Sequence, residues 1–469
     1  MATSNKPAHQ RELYGHPAGL YVLFFTEMWE RFSYYGMRAL FTLFLVAETS
    51  KQNGGFGWSN EEALALYGWY TMLVYVSSIP GGWVADRFLG QKKTVMVGGI
   101  LLCIGHAILA LDSETTFYVG CLFIIFGVGG LKPNISSMVG GLYKPKDERR
   151  DLGFYIYYMG INIGGFLAPI ICGYVGEQIN WHYGFGLAAI GMILGQVVYM
   201  WGQKYLVHVG NLIDRKDEKN REMLNRPLSS VEKDRIKVLL ISFLLIILFW
   251  AAFEQAGGLM NLYAKQKTDR DFFGLFVVPA SVFQSVNSFF IITLATVVGA
   301  FWLKWRKKGK ESSSLFKIAV GMIIMALGFG FMSAASMQYE SDGSSAMYWL
   351  ILAYLFHTIG ELCASPPSLS FITKLAPLKY ASIIMGLYWA ATGLGNKVAG
   401  LIGEVSQDWG EFEIFTGILV IWSLIGVLVI VCLKPLKRLT HGAEDGEGKV
   451  SDEIQADFKI EGHEPAKGA

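Results

Sequence analysis

Twelve runs of apolar residues dominate the chain, each long enough for a ~30 Å hydrocarbon layer, which takes about 20 residues of helix. They lie near 17–47, 62–85, 92–111, 116–141, 152–177 and 182–203, then near 236–264, 276–303, 314–337, 346–373, 379–405 and 413–434. A backbone in lipid has no water to bond, so such runs are expected to close their own hydrogen bonds as helices. The expected fold class is an all-α membrane protein. Only 17% of the residues are charged while 52% are hydrophobic, against roughly 25% charged in soluble proteins, and this argues against a soluble enzyme. Glycine supplies 54 of 469 residues, a surplus that suits closely packed membrane helices. The first run holds Glu27, Glu30, Arg31 and Arg38. It is too long and too charged for a cleavable signal peptide and is expected to be a helix of the mature protein.

Charge placement sets the expected orientation. The 40 basic and 38 acidic residues leave a net charge of +2, so no global field draws nucleic acid. Of the 40 basic residues, 32 fall in the termini and the alternate loops that share their side, 4 on the opposite side and 4 within spans. By the positive-inside rule both termini are cytoplasmic. The polar stretch 204–235 divides the runs six and six, giving an N-terminal six-helix bundle over 1–203, a cytoplasmic linker over 204–235 and a C-terminal six-helix bundle over 236–434. The polar tail 435–469 is expected to be disordered. No Walker A, HExxH or GxSxG pattern occurs, and the five cysteines form no CxxC pair. Neither a metal site nor a cofactor is expected, and any uphill transport has to draw on an ion gradient.

An ionisable group at the bilayer centre costs at least ~2.5–3.5 kcal/mol on insertion scales, so it normally faces a partner or a wet cavity. This chain keeps several. In the first span Glu27, Arg31 and Tyr35 are spaced four apart, as are Glu30, Tyr34 and Arg38, which draws two polar stripes along one helix. A Glu27–Arg31 pair alone would leave the other charges unexplained. Lys132, Glu254, Glu361 and Lys397 follow in later spans, so each half contributes both signs. A carboxylate that loses its cationic partner takes up a proton more readily, which is a physical basis for proton coupling. For Lys397, helix packing and function stand as equal readings. His106 and His357 are expected to be hydrogen-bonded helix residues rather than proton carriers. The kink-forming Pro133 beside Lys132, and Pro366-Pro367 after Glu361, are read as static bends ahead of gates.

Four segments carry a family resemblance. Gly82-Trp-Val-Ala-Asp86-Arg87-Phe-Leu-Gly90-Gln-Lys92-Lys93 resembles the cytoplasmic motif of the major facilitator superfamily. Glu27-xx-Glu30-Arg31-Phe32-x-Tyr34-Tyr35-Gly36 is similar to the ExxERFxYYG signature of its proton-coupled oligopeptide transporters. Tyr157-Tyr158-Met-Gly-Ile161-Asn162 and Gly360-Glu361-Leu-x-x-Ser365-Pro366 resemble two further motifs of that family. The resemblance implies the major facilitator fold, with 12 transmembrane helices in two six-helix bundles around a central cavity. Position by position it implies that Tyr35, Arg38, Tyr75, Lys132, Asn162, Trp250, Asn287, Glu361 and Ser365 contact substrate, with Tyr388 or Trp389 lining the same pocket. It implies that Glu27, Glu30, Arg31 and Glu254 couple protons and gate, Glu254 exchanging partners with Arg38. The stretch 204–235 is too short and polar for the two extra helices of many bacterial members. Gly68 stands where the mammalian branch has a histidine, and a bacterial inner membrane is favoured.

The function so implied is proton-coupled import of di- and tripeptides by alternating access. The alternative within the family is nitrate or another small anion, against which a carboxylate at position 361 argues mildly. A membrane enzyme would need a nucleophile and base constellation that the chain does not offer, and a sensor would need a soluble output domain. The partners expected are short peptides, protons and the lipid bilayer. Arg38 and Lys132 lie before the linker and Glu361 after it, so a zwitterionic peptide is expected to bridge the two bundles.

Overall fold

The computed structural model describes residues 11–143, 149–211, 227–377 and 381–443. Helices follow one another with short turns. In the first half they are α1 (Ala18–Val46), α2 (Asn60–Val76), α3 (Gln91–Leu109), α4 (Glu114–Gly141), α5 (Arg149–Ala168) and α6 (Trp181–Gly202). In the second half they are α7 (Ser230–Phe253), α8 (Ser285–Lys307), α9 (Ser314–Asp342), α10 (Met347–Leu375), α11 (Ala381–Trp409) and α12 (Glu411–Val431). Three continue as broken helix: α2 through Ser78–Val84 and a wide turn at Ala85–Leu89, α5 through Pro169–Gly173 and Tyr174–Gln178, and α7 through Glu254–Ala256 and Leu259–Gln266. Nine helices among the described residues are long and apolar enough to cross a membrane. The first helix fails that test because Glu27, Glu30, Arg31 and Arg38 lie in its body.

The helix starts are written locally. Ser59 opens α2 with a reciprocal capping box: its hydroxyl accepts from the Glu62 N–H (3.2 Å), and Glu62 accepts from the Ser59 N–H (3.0 Å). Ser229 and Glu232 repeat the device at α7 (3.2 and 2.8 Å), a pattern that satisfies two otherwise orphaned donors. Because of it α7 begins at Ser230, inside the stretch expected to be linker; residues 212–226 of that stretch lie outside the described residues. At the other end the chain stays helical past the expected boundary at 434, through Leu433–Arg438, and Arg235 Nε donates to the Thr440 carbonyl (3.3 Å). Residues 444–469 of the expected tail lie outside the described residues.

Large apolar side chains point outward as well as inward, as they do in a lipid solvent. On α12, Leu424 is 63% exposed while Phe415 on the same helix is fully buried. Within the first half α1 packs on α5 and α6, and α3 on α4; within the second, α9 packs on α10 and α12. Two seams join the halves, α2 against α11 and α5 against α8. The α2–α11 seam is made by backbone. A Cβ on Gly68 would meet the Gly400 Cα at 3.0 Å, one on Gly400 would meet the Leu64 carbonyl oxygen at 3.0 Å, and one on Gly393 the Met72 carbonyl oxygen at 2.8 Å. Small residues allow this approach in membranes, where no hydrophobic force pulls helices together.

Candidate functional site

The charges of α1 are buried in the middle of the first bundle. Glu27, Glu30 and Arg31 are 2%, 0% and 3% exposed. Arg31 joins both carboxylates: its Nε lies 3.3 Å from Glu27 Oε1 and also contacts Glu30 Oε2, while its second nitrogen donates to Glu30 Oε1 at 2.7 Å. The two expected stripes therefore merge at one guanidinium. Glu27 Oε2 is buried without a hydrogen-bond partner among the described residues, and the Tyr157 hydroxyl, 3.4 Å from the Ser136 hydroxyl, is a further polar neighbour of this carboxylate.

Two turns along α1, Arg38 leaves its own bundle and meets the second. Its terminal nitrogen lies 3.0 Å from Glu254 Oε1, and its Nε donates to the Tyr67 hydroxyl at 2.8 Å; that hydroxyl in turn donates to the same Glu254 oxygen. The broken helix after Phe253 is what turns Glu254 toward the first half. Gly257 makes room, since a Cβ there would sit 1.9 Å from the Tyr67 hydroxyl and 2.7 Å from Arg38 Nε. The Arg38–Glu254 pairing agrees with expectation. Tyr67 was not singled out, because α2 carries Tyr67, Tyr70 and Tyr75 and sequence alone does not tell which one faces a charge.

Lys132 has an unusual environment. Its ammonium lies 3.7 Å from the centre of the Tyr75 ring and 4.6 Å from that of Trp389, and these two rings stack across the halves at 6.0 Å. The two ring faces attract the ammonium, which has no carboxylate in ion-pair contact among the described residues. Trp389 is thus the ring that meets Lys132, whereas Tyr388 is buried beside Ser365 and Ser368. In the second half Asn287 donates to Glu361 Oε2 (3.0 Å) and to the Thr358 hydroxyl (3.0 Å), which fixes the Glu361 carboxylate. Arg38 and Glu254 are within electrostatic reach of Glu361, and Glu27, Glu30, Arg31 and Glu254 are within reach of Lys132. The Arg38 guanidinium also lies 5.6 Å from the centre of the Tyr35 ring. Asn162 donates to the Tyr158 carbonyl one turn back (2.9 Å). Trp250 packs edge-on against Phe253 (5.2 Å) and against Gly395, and Ser365 accepts at its carbonyl from Ser368 (2.8 Å).

Other residues fall elsewhere. Lys397 pairs with Glu404 (3.3 Å) and lies 4.9 Å from the centre of the Trp69 ring, so it tightens the α2–α11 seam. His106 and His357 depart from expectation: all four ring nitrogens are buried without a hydrogen-bond partner among the described residues, and His357 packs against Phe329 (4.5 Å). Both imidazoles fill space between packed helices. No group of His, Cys, Asp or Glu among the described residues could hold a metal ion.

The POT family model matches residues 92–224 and 216–414. The chain belongs to the POT family. Among its relatives is the peptide transporter YePEPT of Yersinia enterocolitica, 35% identical with 95% of this chain and 99% of that protein covered. A di-/tripeptide transporter of Lactococcus lactis is 32% identical over 92% of this chain and 98% of its own. A solved peptide transporter POT in complex with sulfate superimposes with a TM-score of 0.84 at 34% identity, covering 92% of this chain and 98% of that one. A POT family transporter in complex with 5-aminolevulinic acid does so at 0.83 and 30%, covering 92% and 98%. The fold is that of the major facilitator superfamily, and the chain is a membrane transporter of bacterial type.

Proposed function

We propose that this chain imports di- and tripeptides together with protons, by exposing one central site alternately to the two sides of a bacterial inner membrane. The proposed arrangement has twelve spans, in bundles over 1–203 and 236–434 joined by a cytoplasmic linker, with both termini in the cytoplasm. The observation that carries the reading is the Arg38–Tyr67–Glu254 bridge between the halves. A peptide carboxylate arriving at Arg38 competes with Glu254, and a carboxylate released from its cation takes up a proton more readily. Binding and protonation are thereby linked at one contact. Lys132, in ion-pair contact with no carboxylate among the described residues, offers the peptide C-terminus a second cation, and Glu361, held by Asn287, takes the peptide amine. A zwitterion spanning Arg38 and Glu361 draws the bundles together. Glu27, Glu30 and Arg31 form the route by which a proton enters, Glu27 Oε2 being its acceptor.

The polar contacts between the halves include Lys265 to Glu177 (2.8 Å), Asn261 to the Ala39 carbonyl (3.1 Å) and Asn60 to Gln407 (3.1 Å). In the proposed orientation these lie on the non-cytoplasmic side, so this is the state closed outward. An anion cargo is not favoured: the relatives are named for peptides, and Glu361 repels a small anion. Uptake of labelled dialanine into proteoliposomes under an imposed inward proton gradient is the test. Accumulation that collapses with a protonophore is expected. Uptake indifferent to the gradient, or absent for dialanine and present for nitrate, refutes the proposal.

A further inference from the structure

Outside the central site, a cavity of about 640 Å³ opens between the end of the α2 continuation, the start of α3 and the segment that follows α6. The chain builds it deliberately. Leu206 and Val209 are buried (0% and 3% exposed) and pull the segment after α6 back beneath α3. Gly210 adopts a φ of +70°, and its carbonyl accepts the Lys92 N–H at 2.9 Å; a Cβ on Gly210 would sit 2.9 Å from that nitrogen, so glycine is required for the approach. From the other side the Tyr199 hydroxyl donates to the Lys92 carbonyl at 2.9 Å. The backbone of Lys92 is pinned twice, and the side chains of Lys92 and Lys93 both line the cavity.

Neither lysine is paired with a carboxylate among the described residues. Gln203 and Asn211, on the same wall, each spend an amide hydrogen on a backbone carbonyl (Tyr199 at 3.3 Å, Val207 at 2.9 Å) and keep a second N–H. Beside this cationic, donor-rich hollow stand Phe88 and Val97, 56% and 46% exposed, just before α3 and in its second turn. Two unpaired ammonium groups next to uncovered apolar side chains describe a ligand that is anionic at one end and apolar at the other.

We propose that this cavity binds the phosphate headgroup of an anionic phospholipid, with its acyl chains along Phe88, Leu89 and Val97. The proposal rests on the orientation given above, which places the cavity in the cytoplasmic leaflet, where anionic lipids lie and basic pockets between helices hold their headgroups. A soluble phosphate would satisfy the lysines equally but has no use for the apolar wall.

The test is native mass spectrometry of the full chain, released from detergent after incubation with dioleoyl phosphatidylglycerol, with dioleoyl phosphatidylcholine, or with phosphatidylglycerol plus excess glycerol 3-phosphate. Retention of phosphatidylglycerol, little phosphatidylcholine and no displacement by glycerol 3-phosphate are expected. The K92Q/K93Q double variant should retain phosphatidylglycerol at least tenfold less, and K92R/K93R, which keeps both charges, should match the wild type and so separate loss of charge from loss of fold. Undiminished retention by K92Q/K93Q, or equal retention of phosphatidylcholine, overturns the proposal. Displacement by glycerol 3-phosphate overturns the lipid assignment in favour of a soluble phosphate. Sidedness does not enter this measurement, so an error in the orientation shows separately in reporter fusions.

Discussion

Replacing Tyr67 by Phe isolates the Arg38–Tyr67–Glu254 bridge between the halves. The ring remains, still packed against Phe41 at 5.9 Å between centroids, and only the hydroxyl is lost. That hydroxyl accepts from Arg38 at 2.8 Å and donates to Glu254, whereas the direct Arg38–Glu254 contact at 3.0 Å survives. Hydrogen bonds to charged groups contribute about 1.5–3 kcal/mol each. Because the surviving ion pair takes up part of the loss, the net penalty to the closed state is one such bond rather than two. A penalty of about 1.5–3 kcal/mol shifts the equilibrium away from this closed state by about ten- to a hundredfold. Asn261, 1% exposed and bonded across the halves to the Ala39 carbonyl (3.1 Å), reports on opening. With Asn261→Cys placed in a background lacking the five native cysteines, alkylation by a maleimide, which needs the open state, should be at least tenfold faster once Tyr67→Phe is added. Equal alkylation rates would refute the reasoning, for they would mean that the hydroxyl bears no share of the closure.

Other outcomes follow from the same geometry. Gly257→Ala forces a methyl into the Tyr67 hydroxyl at 1.9 Å, and overpacking of this kind costs about 1–3 kcal/mol; a lower melting temperature in detergent is expected, and an unchanged one counts against the packing. Glu361→Ala should weaken dialanine transport by tenfold or more, since a broken buried charge contact costs about 2–5 kcal/mol, while N-acetylated dialanine should compete poorly with wild type; strong competition by the acetylated peptide contradicts the amine site. Glu27→Gln and Glu30→Gln should each abolish gradient-driven accumulation yet leave exchange at equal pH partly intact, and accumulation that persists in both removes these carboxylates from coupling. Reporter fusions after Lys437 and within 338–345 should read cytoplasmic and periplasmic respectively, and the reverse overturns the orientation.

Much of this was legible before any coordinates. Twelve apolar runs anticipated where the helices lie because length and hydropathy alone decide what lipid tolerates, and the pairing of Arg38 with Glu254 was anticipated from family motifs. What escaped was rotational. Hydropathy does not say which face of α2 turns inward, so Tyr67 was hidden among three tyrosines, and the ring above Lys132 stayed undecided between Tyr388 and Trp389 until α11 was placed. The start of α7 was missed for another reason: the Ser229–Glu232 capping box sits in a polar stretch, and polarity was read as linker. His106 and His357 misled because buried imidazoles usually find partners, whereas here they fill space between helices.

The glycine seam between α2 and α11 bears on speed. Where two helices touch through Gly68, Gly393 and Gly400, no interlocked side chains have to disengage before one half can roll on the other. Such a contact behaves as a bearing, and little of the activation barrier for rocking arises there. In the proposed cycle the barrier lies instead in the few polar links between the halves, such as Arg38–Glu254, which a proton or a peptide would sever. Larger residues along the seam would convert it into a ratchet that has to be repacked at every stroke, and slower turnover is expected of Gly68→Val or Gly400→Val.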